Sequence, residues 1–129
     1  MPLINSLYSQ PFIFLKDLNM AFIELFMDLL EVRVPWVWSS DLGHIGTKNK
    51  LLLDILTKVD ATHYLTGNGA KDYLNESLFT ESGIAVEWQS FTHPIYSQQF
   101  GEFEPNLSVI DLLFNCGIEK SKIFLKGSK

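Results

Sequence analysis

The sequence contains little cysteine, little basic charge and no long apolar run, and each shortage excludes a class of protein. A single cysteine cannot form an internal disulfide, which agrees with a reducing cytoplasm. Ten basic residues against fifteen acidic ones give a net charge of -5, which argues against a nucleic-acid partner. The most apolar segment, residues 20–30, contains Glu24 and Asp28 and is far shorter than the roughly 20 apolar residues that span a bilayer. We therefore expect a cytoplasmic protein without a membrane span.

Two further motif classes are missing. The N-terminus has neither the basic region nor the small-residue cleavage site of a secretory signal, so secretion is not expected. His44, His63 and His93 are widely separated and show no metal-ligand spacing, so no metal site is predicted. The sequence does not indicate a cofactor.

The segments that are present alternate between helix and strand patterns. Apolar residues recur at helical spacing behind Asp17 and behind Thr47, each of which is predicted to cap a helix. Short β-branched and aromatic runs between the helices are typical of strands, and glycines at the ends of later helices predict C-caps. The predicted helices are 17–31, 47–59, 75–82 and 108–117, and the predicted strands are Val34–Ser39, His63–Thr66 and Ala85–Phe91.

This alternation favours an α/β fold with a small, mostly parallel sheet flanked by helices, a Rossmann-like three-layer fragment. Three strands are few for such an architecture, so we expect either a homodimer or partner chain that completes the sheet, or a missing segment that once extended it. The 129 residues suffice for one domain, predicted over residues 1–117. Residues 118–129 are lysine-rich and are predicted to form a flexible basic tail.

Polar loops at the strand ends are the predicted location of function, because open α/β proteins bind ligands there. Ser39 and Ser40 leave the first predicted strand. The Gly67-Asn68-Gly69 turn leaves the second and is predicted to contain a positive φ. Backbone N–H groups of this turn, followed by Lys71 and Asp72, are candidates for an anion or a proton-transfer site. The alternative is an ordinary tight turn followed by solvated side chains.

His63 and His93 are candidate general bases, because the unperturbed pKa of histidine is about 6.5. His93 is favoured, since its loop also contains Pro94, Tyr96 and Glu102. The alternative for each histidine is a packed structural residue. Asn106 and the hydroxyls of Tyr64, Tyr73 and Tyr96 are candidates for orienting a polar substrate.

Ser108 and Asp111 have the spacing of a capping box, so a structural role is predicted for both. Cys116 lies in an apolar helix with no neighbour in sequence that would activate it. It is predicted to be inert core.

The segments ATHYLTGNGAKDYL and FTHPIYSQQFGEFEPNLSVIDLLFNCG, with SSDLG at residues 39–43, resemble the C-terminal half of the WbqC-like protein family. Members often belong to gene clusters for O-antigen and other surface polysaccharides. The resemblance implies a glycine or aminoacyl transfer to an amino sugar. The family's N-terminal His-Gln-Pro-x-Tyr type segment has no counterpart here. This departure implies a partial member of the family.

The resemblance implies roles for the matching residues. His93, Glu102 and His63 are predicted to be catalytic, and a small-molecule substrate (a sugar, an amino acid or a nucleotide-linked sugar) is predicted to bind the remaining positions. The alternative is a non-catalytic binding or assembly module, or an inactive truncated member. The predicted substrate-binding residues are Ser39, Ser40, Tyr64, Gly67, Asn68, Gly69, Lys71, Asp72, Tyr73, Tyr96 and Asn106.

Overall fold

A computed structural model of the chain describes residues 2–127, with side chains through residue 125. Within these residues, no helix combines the length and apolar character needed to cross a membrane. The helices are α1 (Pro2–Tyr8), α2 (Leu15–Leu30), α3 (Lys48–Lys58), α4 (Glu76–Thr80) and α5 (Val109–Gly127), the strands are β1 (His63–Thr66) and β2 (Ala85–Trp88), and 3-10 turns lie at Ser39–Leu42 and Asn68–Ala70.

The chain divides into two compact units. The sheet unit is Pro35–Phe91, and it contains both strands with α3 and α4. The helical unit comprises the described residues of Met1–Val34 and Thr92–Lys129, and it contains α1, α2 and α5 with the long loop before α5. The division into a domain ending at residue 117 and a tail remains a prediction.

The sheet unit contains a two-stranded parallel sheet in which His63 pairs with Ala85 and Thr66 with Trp88. The chain passes between the strands through α4, which packs beside β2. Parallel strands need such a crossover, so the alternating pattern correctly predicted this architecture. The predicted class, a small parallel sheet flanked by helices, is confirmed.

The predicted strand Val34–Ser39 is wrong. These residues have no strand hydrogen bonding, and a 3-10 turn begins at Ser39. Pro35 has no N–H to donate to a ladder, and Trp36 packs against Trp38 edge to face at 5.4 Å between ring centroids. The β-branched and aromatic composition therefore reflects local aromatic packing and not a third strand.

The core of the sheet unit centres on Phe79, which is fully buried. Ile84 and Ala70 are also buried. Tyr64 stacks on Phe79 at 5.6 Å between ring centroids. After α4, Gly83 has a φ of +79°, and the N–H of Ile84 donates to the carbonyl of Phe79 at 2.9 Å. The glycine C-cap predicted at this position is confirmed.

The turn before α3 is fixed by Asp54. Its carboxylate accepts hydrogen bonds from the backbone N–H of Ile45 at 2.9 Å and from Lys58 Nζ at 2.8 Å. These two hydrogen bonds lower the pKa of Asp54 below its usual value of 3.8, and the bond from Lys58 has the larger effect. Thr47 occupies the predicted N-cap position in an extended conformation, but its side chain makes no capping hydrogen bond.

In the helical unit, α2 packs against both α1 and α5. The helix starts at Leu15, so Asp17 lies in its first turn and is not the N-cap that the sequence predicted. A carboxylate in the first turn still interacts favourably with the helix dipole. At the other end, Lys122 Nζ of α5 contacts Glu31 Oε1 at 2.7 Å and Glu119 Oε1 at 3.0 Å.

Helix α5 continues beyond the glycine where the sequence predicted its end. Gly117 has a positive φ of 74° and interrupts the helical conformation, as expected of a C-cap glycine. The buried Ser121 then donates from Oγ to the Gly117 carbonyl at 2.7 Å, and the helix resumes to Gly127. Residues 118–127 are therefore helical in the structure, whereas the sequence predicted a flexible tail over residues 118–129.

Candidate functional site

The Gly67-Asn68-Gly69 turn follows β1, and a hydrogen bond links it to the end of β2. Asn68 Nδ2 donates to the Gln89 carbonyl just beyond β2 at 3.3 Å. The predicted positive φ is wrong: Gly67 has a φ of −81°, and neither it nor Gly69 is among the positive-φ glycines. A 3-10 turn needs no positive φ. The N–H groups of Ala70 and Lys71 bond within the turn, so they are not directed at a ligand.

Trp88 ends β2 and lies beside the predicted residue Lys71. Lys71 Nζ lies 5.7 Å from the Trp88 ring centroid, within cation–π range. The indole Nε1 donates to Glu76 Oε1 at 2.9 Å, which fixes the ring. The sequence analysis placed Trp88 in a strand but gave it no role, because its proximity to Lys71 arises only when the two strands pair.

The other predicted residues of the sheet unit are dispersed. His63 is exposed, with Nδ1 2.9 Å from Thr62 Oγ1 and Nε2 3.9 Å from Glu87 Oε1. Tyr64 packs into the core on Phe79, so its ring has a structural role. Asp72 and Tyr73 are both exposed.

Ser39 and Ser40 lie in the first 3-10 turn, where both are exposed and Ser40 Oγ donates to Asp41 Oδ1 at 3.2 Å. Both were predicted to bind a ligand because they follow a predicted strand, but no strand precedes them in the structure. Their role in ligand binding remains a prediction.

The long loop of the helical unit contains an aromatic cluster around Tyr96, which is only 6% exposed. The Tyr96 ring lies 6.0 Å from the His93 ring and 5.4 Å from Phe103, measured between centroids. His93 also packs on Phe103 at 5.8 Å. His93 Nδ1 is 2.9 Å from the Pro94 carbonyl, and because a carbonyl oxygen can only accept, Nδ1 donates this hydrogen bond. The structure thus brings together two predicted residues, His93 and Tyr96.

Asp111 organises the polar side of this cluster. Its Oδ2 accepts hydrogen bonds from the Tyr96 hydroxyl at 2.8 Å and from Gln98 Nε2 at 3.1 Å. Its Oδ1 accepts from Asn115 Nδ2 at 3.0 Å. The predicted capping box is therefore half right: Ser108 Oγ accepts from the N–H of Ile110 at 3.3 Å, but the Asp111 carboxylate bonds to the loop.

Gln98 closes the loop that contains the remaining predicted residues. Its side-chain amide donates to the Glu104 carbonyl at 2.9 Å and accepts from the Glu104 N–H at 2.8 Å. Glu102 lies in the segment between them and is exposed, and Asn106 follows with a φ of +62° and is also exposed. The pairing of Glu102 with His93 as an acid–base couple remains a prediction.

An open pocket of about 470 Å³ lies against this network. Its volume is within the range of small-molecule sites. Among the described residues, its lining includes neither His93 nor Glu102. His93 packs on Tyr96, whose hydroxyl donates to the lining residue Asp111. The lining residues are Gln98, Gln99, Phe100, Glu104, Leu107, Asp111, Phe114 and Asn115.

Sequence reasoning missed Gln98, Asp111 and Asn115 as site residues. One signal was available: Asp111 and Asn115 are four residues apart, so they lie on the same face of an otherwise apolar helix. Polar residues at that spacing on a helix that is packed in a core indicate a polar partner.

The hydroxyl of Tyr96 is predicted to make stability depend on alkaline pH. Burial, together with the hydrogen bond to Asp111, raises the pKa of Tyr96 above its usual value of 10.0. A raised folded-state pKa stabilises the fold fully below about pH 10, and this contribution is lost as pH rises through the folded-state pKa.

The free energy of unfolding of Tyr96→Phe, measured with urea, should therefore be lower than that of the natural chain at pH 8. The difference should narrow above about pH 10. The remaining tyrosines are common to both chains and cancel in the difference. Parallel curves through the alkaline range would contradict the assignment.

No three His, Cys, Asp or Glu side chains group as a metal site anywhere in the part of the chain that the structure describes. The predicted residues from Ser39 to Tyr73 belong to the sheet unit, and those from His93 to Asn106 belong to the helical unit.

Comparisons with known proteins bear on this arrangement. The sequence profile of the WbqC-like protein family matches residues 1–123. Over 91 residues the chain is 38% identical to the protein named Uncharacterized protein Rv1507c from Mycobacterium tuberculosis. That match covers 70% of this chain and 38% of the relative, so the matched segment is less than half of the relative's length. No solved structure matches the chain with significance.

Proposed function

The chain belongs to the WbqC-like protein family, and we propose that it binds an amino sugar or an amino acid in the synthesis of a surface polysaccharide. The proposed reaction transfers a glycyl or other aminoacyl group to the sugar. The observation that carries the proposal is the pocket of about 470 Å³ beside the Asp111 network. The polysaccharide setting comes from the family resemblance, and the binding chemistry comes from the pocket.

The pocket combines the three kinds of group that an amino sugar requires. The carboxylates of Glu104 and Asp111 attract an ammonium group, and the amide oxygens of Gln98 and Asn115 offer acceptors for hydroxyls. Phe100 and Phe114, which are 82% and 58% exposed, offer apolar surface for the carbon face of a sugar ring. An amino acid shares the ammonium group with an amino sugar, whereas the acidic lining disfavours phosphate. In a nucleotide-linked sugar, only the sugar would occupy this pocket.

His93 is the proposed proton acceptor. The acceptor amine must lose a proton before its nitrogen can attack the donor carbonyl, and an imidazole such as that of His93 is the side chain that most often takes such a proton. The attack forms a C–N bond, and the bond from the carbonyl carbon to the leaving group breaks with departure of its electron pair. The donor must therefore be activated, for example as an acyl phosphate or a thioester. Glu102, on the same loop, is the proposed partner of His93.

Binding is tested by thermal shift with glucosamine, glycine, ATP and nucleotide-linked amino sugars. A ligand at a hundred times its Kd stabilises the folded state by about 2.7 kcal/mol, so the thermal midpoint should rise by several degrees. Glu104→Gln removes one pocket charge, and because only backbone atoms of Glu104 bond to Gln98 it should leave the fold intact. It should weaken binding about fivefold. Glu24→Gln, at an exposed site on α2, is the matched control and should bind normally.

Turnover is measured separately on the ligand that binds. His93→Gln should abolish transfer while retaining the thermal shift, because His93 lies outside the pocket lining. Binding without turnover in the natural chain would reject the transferase and favour a binding module. A cooperatively folded chain that no ligand stabilises would reject the pocket assignment and favour an assembly module or an inactive family member.

A further inference from the structure

A second pocket, of about 390 Å³, lies within the sheet unit. It is formed by the first turns of α3 and by Tyr73, and its wall is chiefly carbon. Its lining residues are Lys48, Asn49, Leu51, Leu52 and Tyr73. Tyr73 is also one of the predicted substrate-binding residues. An apolar pocket of this volume differs in chemistry from the acidic pocket of the helical unit.

Asn49 links the helix side of this pocket to the segment that contains Tyr73. Its Nδ2 donates to the Tyr73 carbonyl at 2.9 Å, and its Oδ1 accepts the Asn75 N–H at 3.3 Å. One side chain on α3 thus satisfies backbone groups on both sides of Leu74 and fixes the segment that contains Tyr73 relative to the helix. The Tyr73 side chain is 65% exposed, which leaves its ring available as a wall for a ligand. The pocket is therefore preformed, and a ligand would not have to open it.

Lys48 is the one described lining residue with a cationic side chain, and its aliphatic stem contributes to the apolar wall. It is exposed and forms no ion pair among the described residues. Its backbone has a φ of +52°, which is unfavourable for a residue with a side chain. Strained backbone of this kind is concentrated at binding sites, where the surrounding structure maintains it. Here the Gly46 turn precedes it, and a side chain at Gly46 would meet Lys50 Cβ at 3.3 Å, so the turn itself is constrained.

We propose that this pocket binds an amphipathic anion: an apolar chain packed between Leu51, Leu52 and Tyr73, with an anionic head group on Lys48. Charge complementarity selects the occupant, because an apolar chain alone would gain nothing from Lys48 and a free anion would gain nothing from the leucines. A lipid phosphate and a fatty carboxylate share this chemistry. The inference concerns a separate pocket, so it does not depend on the proposed transferase function.

The experiment uses octyl phosphate below its micelle concentration, with binding measured by calorimetry on the whole chain. Octanol supplies the chain without the anion, and inorganic phosphate supplies the anion without the chain. Octyl phosphate should bind about fivefold more tightly than octanol and at least about tenfold more tightly than inorganic phosphate. Octanoate in place of octyl phosphate distinguishes a general anion site from a phosphate site. Equal affinity for octyl phosphate and octanol, or for octyl phosphate and inorganic phosphate, would overturn the proposal.

Two pairs of variants locate the site. Lys48→Gln should weaken octyl phosphate binding about fivefold and leave octanol binding unchanged, whereas Lys50→Gln, which removes the same charge from an exposed position outside the lining, should change neither. Tyr73→Phe should retain binding, and Tyr73→Ser should weaken it about tenfold through loss of the apolar wall. Tyr73 is exposed, so both variants should fold. Binding that is equal in all four variants would be non-specific and would overturn the assignment.

Discussion

Replacing Asp111 with alanine should lower the free energy of unfolding by about 3 kcal/mol. The carboxylate accepts hydrogen bonds from Tyr96, Gln98 and Asn115. Its loss would leave the hydroxyl of Tyr96, a residue only 6% exposed, without its acceptor. A buried donor without a partner costs more than the hydrogen bond contributes, because the desolvation penalty is no longer offset. Urea unfolding followed by circular dichroism measures the change.

The three donors to Asp111 also predict the effect of the conservative substitution Asp111→Asn. Tyr96, Gln98 and Asn115 all donate to Asp111. In Asp111→Asn, one carboxylate oxygen is replaced by an NH₂ group, which would face at least one of these donors and could not accept its hydrogen bond. We therefore expect Asp111→Asn to be destabilised as well, by about 1–2 kcal/mol. The matched control is Asp28→Ala, which removes an ion pair with Arg33 whose side chains are 71% and 69% exposed. That variant should lose less than about 1 kcal/mol. Similar losses in Asp111→Ala and Asp28→Ala would show that the Asp111 network does not stabilise the loop.

Local patterns predicted the elements whose causes are local. Strand β1 was predicted with the observed bounds, and β2 from its observed start but three residues too long, because short alternating runs between turns are sufficient for a half-buried strand. Gly83 was predicted as a C-cap because an apolar residue, Ile84, follows it. In each case the decisive residues lie within a few positions of one another in sequence.

The failures have causes that a local pattern does not contain. Residues 34–39 have strand composition, but Pro35 has no N–H to donate to a ladder, and Trp36 and Trp38 pack on each other and not in a sheet. Gly67 and Gly69 suggested a left-handed turn, yet nothing lies within 4 Å of a side chain built at either position. Glycine there is required neither by φ nor by crowding, and composition alone could not distinguish these cases.

The candidate site depended on pairings over longer distances along the chain. Tyr96 was selected for its hydroxyl and His93 for its ring, but the residue that organises them, Asp111, was assigned to a helix cap. The Tyr96–Asp111 hydrogen bond joins a loop to a helix fifteen positions later. Sequence spacing identifies the helical neighbours of Asp111, so its contact with Asn115 could have been predicted. Its hydrogen bonds to Tyr96 and Gln98 could not, because those residues lie in the loop.

Replacing Phe79 with alanine should lower the free energy of unfolding by about 3–5 kcal/mol, the largest effect that we expect from one substitution. Phe79 is fully buried and its ring stacks on the ring of Tyr64. Truncating the Phe79 side chain therefore removes buried apolar surface and leaves a cavity in the sheet unit. All three tryptophans lie within Pro35–Phe91, so tryptophan fluorescence follows the unfolding of this unit. The fluorescence midpoint in urea should fall sharply.

Two controls separate packing from a general intolerance of change. Phe79→Leu retains most of the apolar volume and should lose only about 1–2 kcal/mol, because the smaller residue leaves a smaller cavity. Phe100→Ala removes a ring that is 82% exposed and should lose less than about 0.5 kcal/mol. A loss below about 1 kcal/mol in Phe79→Ala would mean that the sheet unit is not held by this core. In that case the parallel pairing of β1 with β2 would have to draw its stability from outside Pro35–Phe91, because a two-stranded sheet is at best marginally stable without packing on an apolar face.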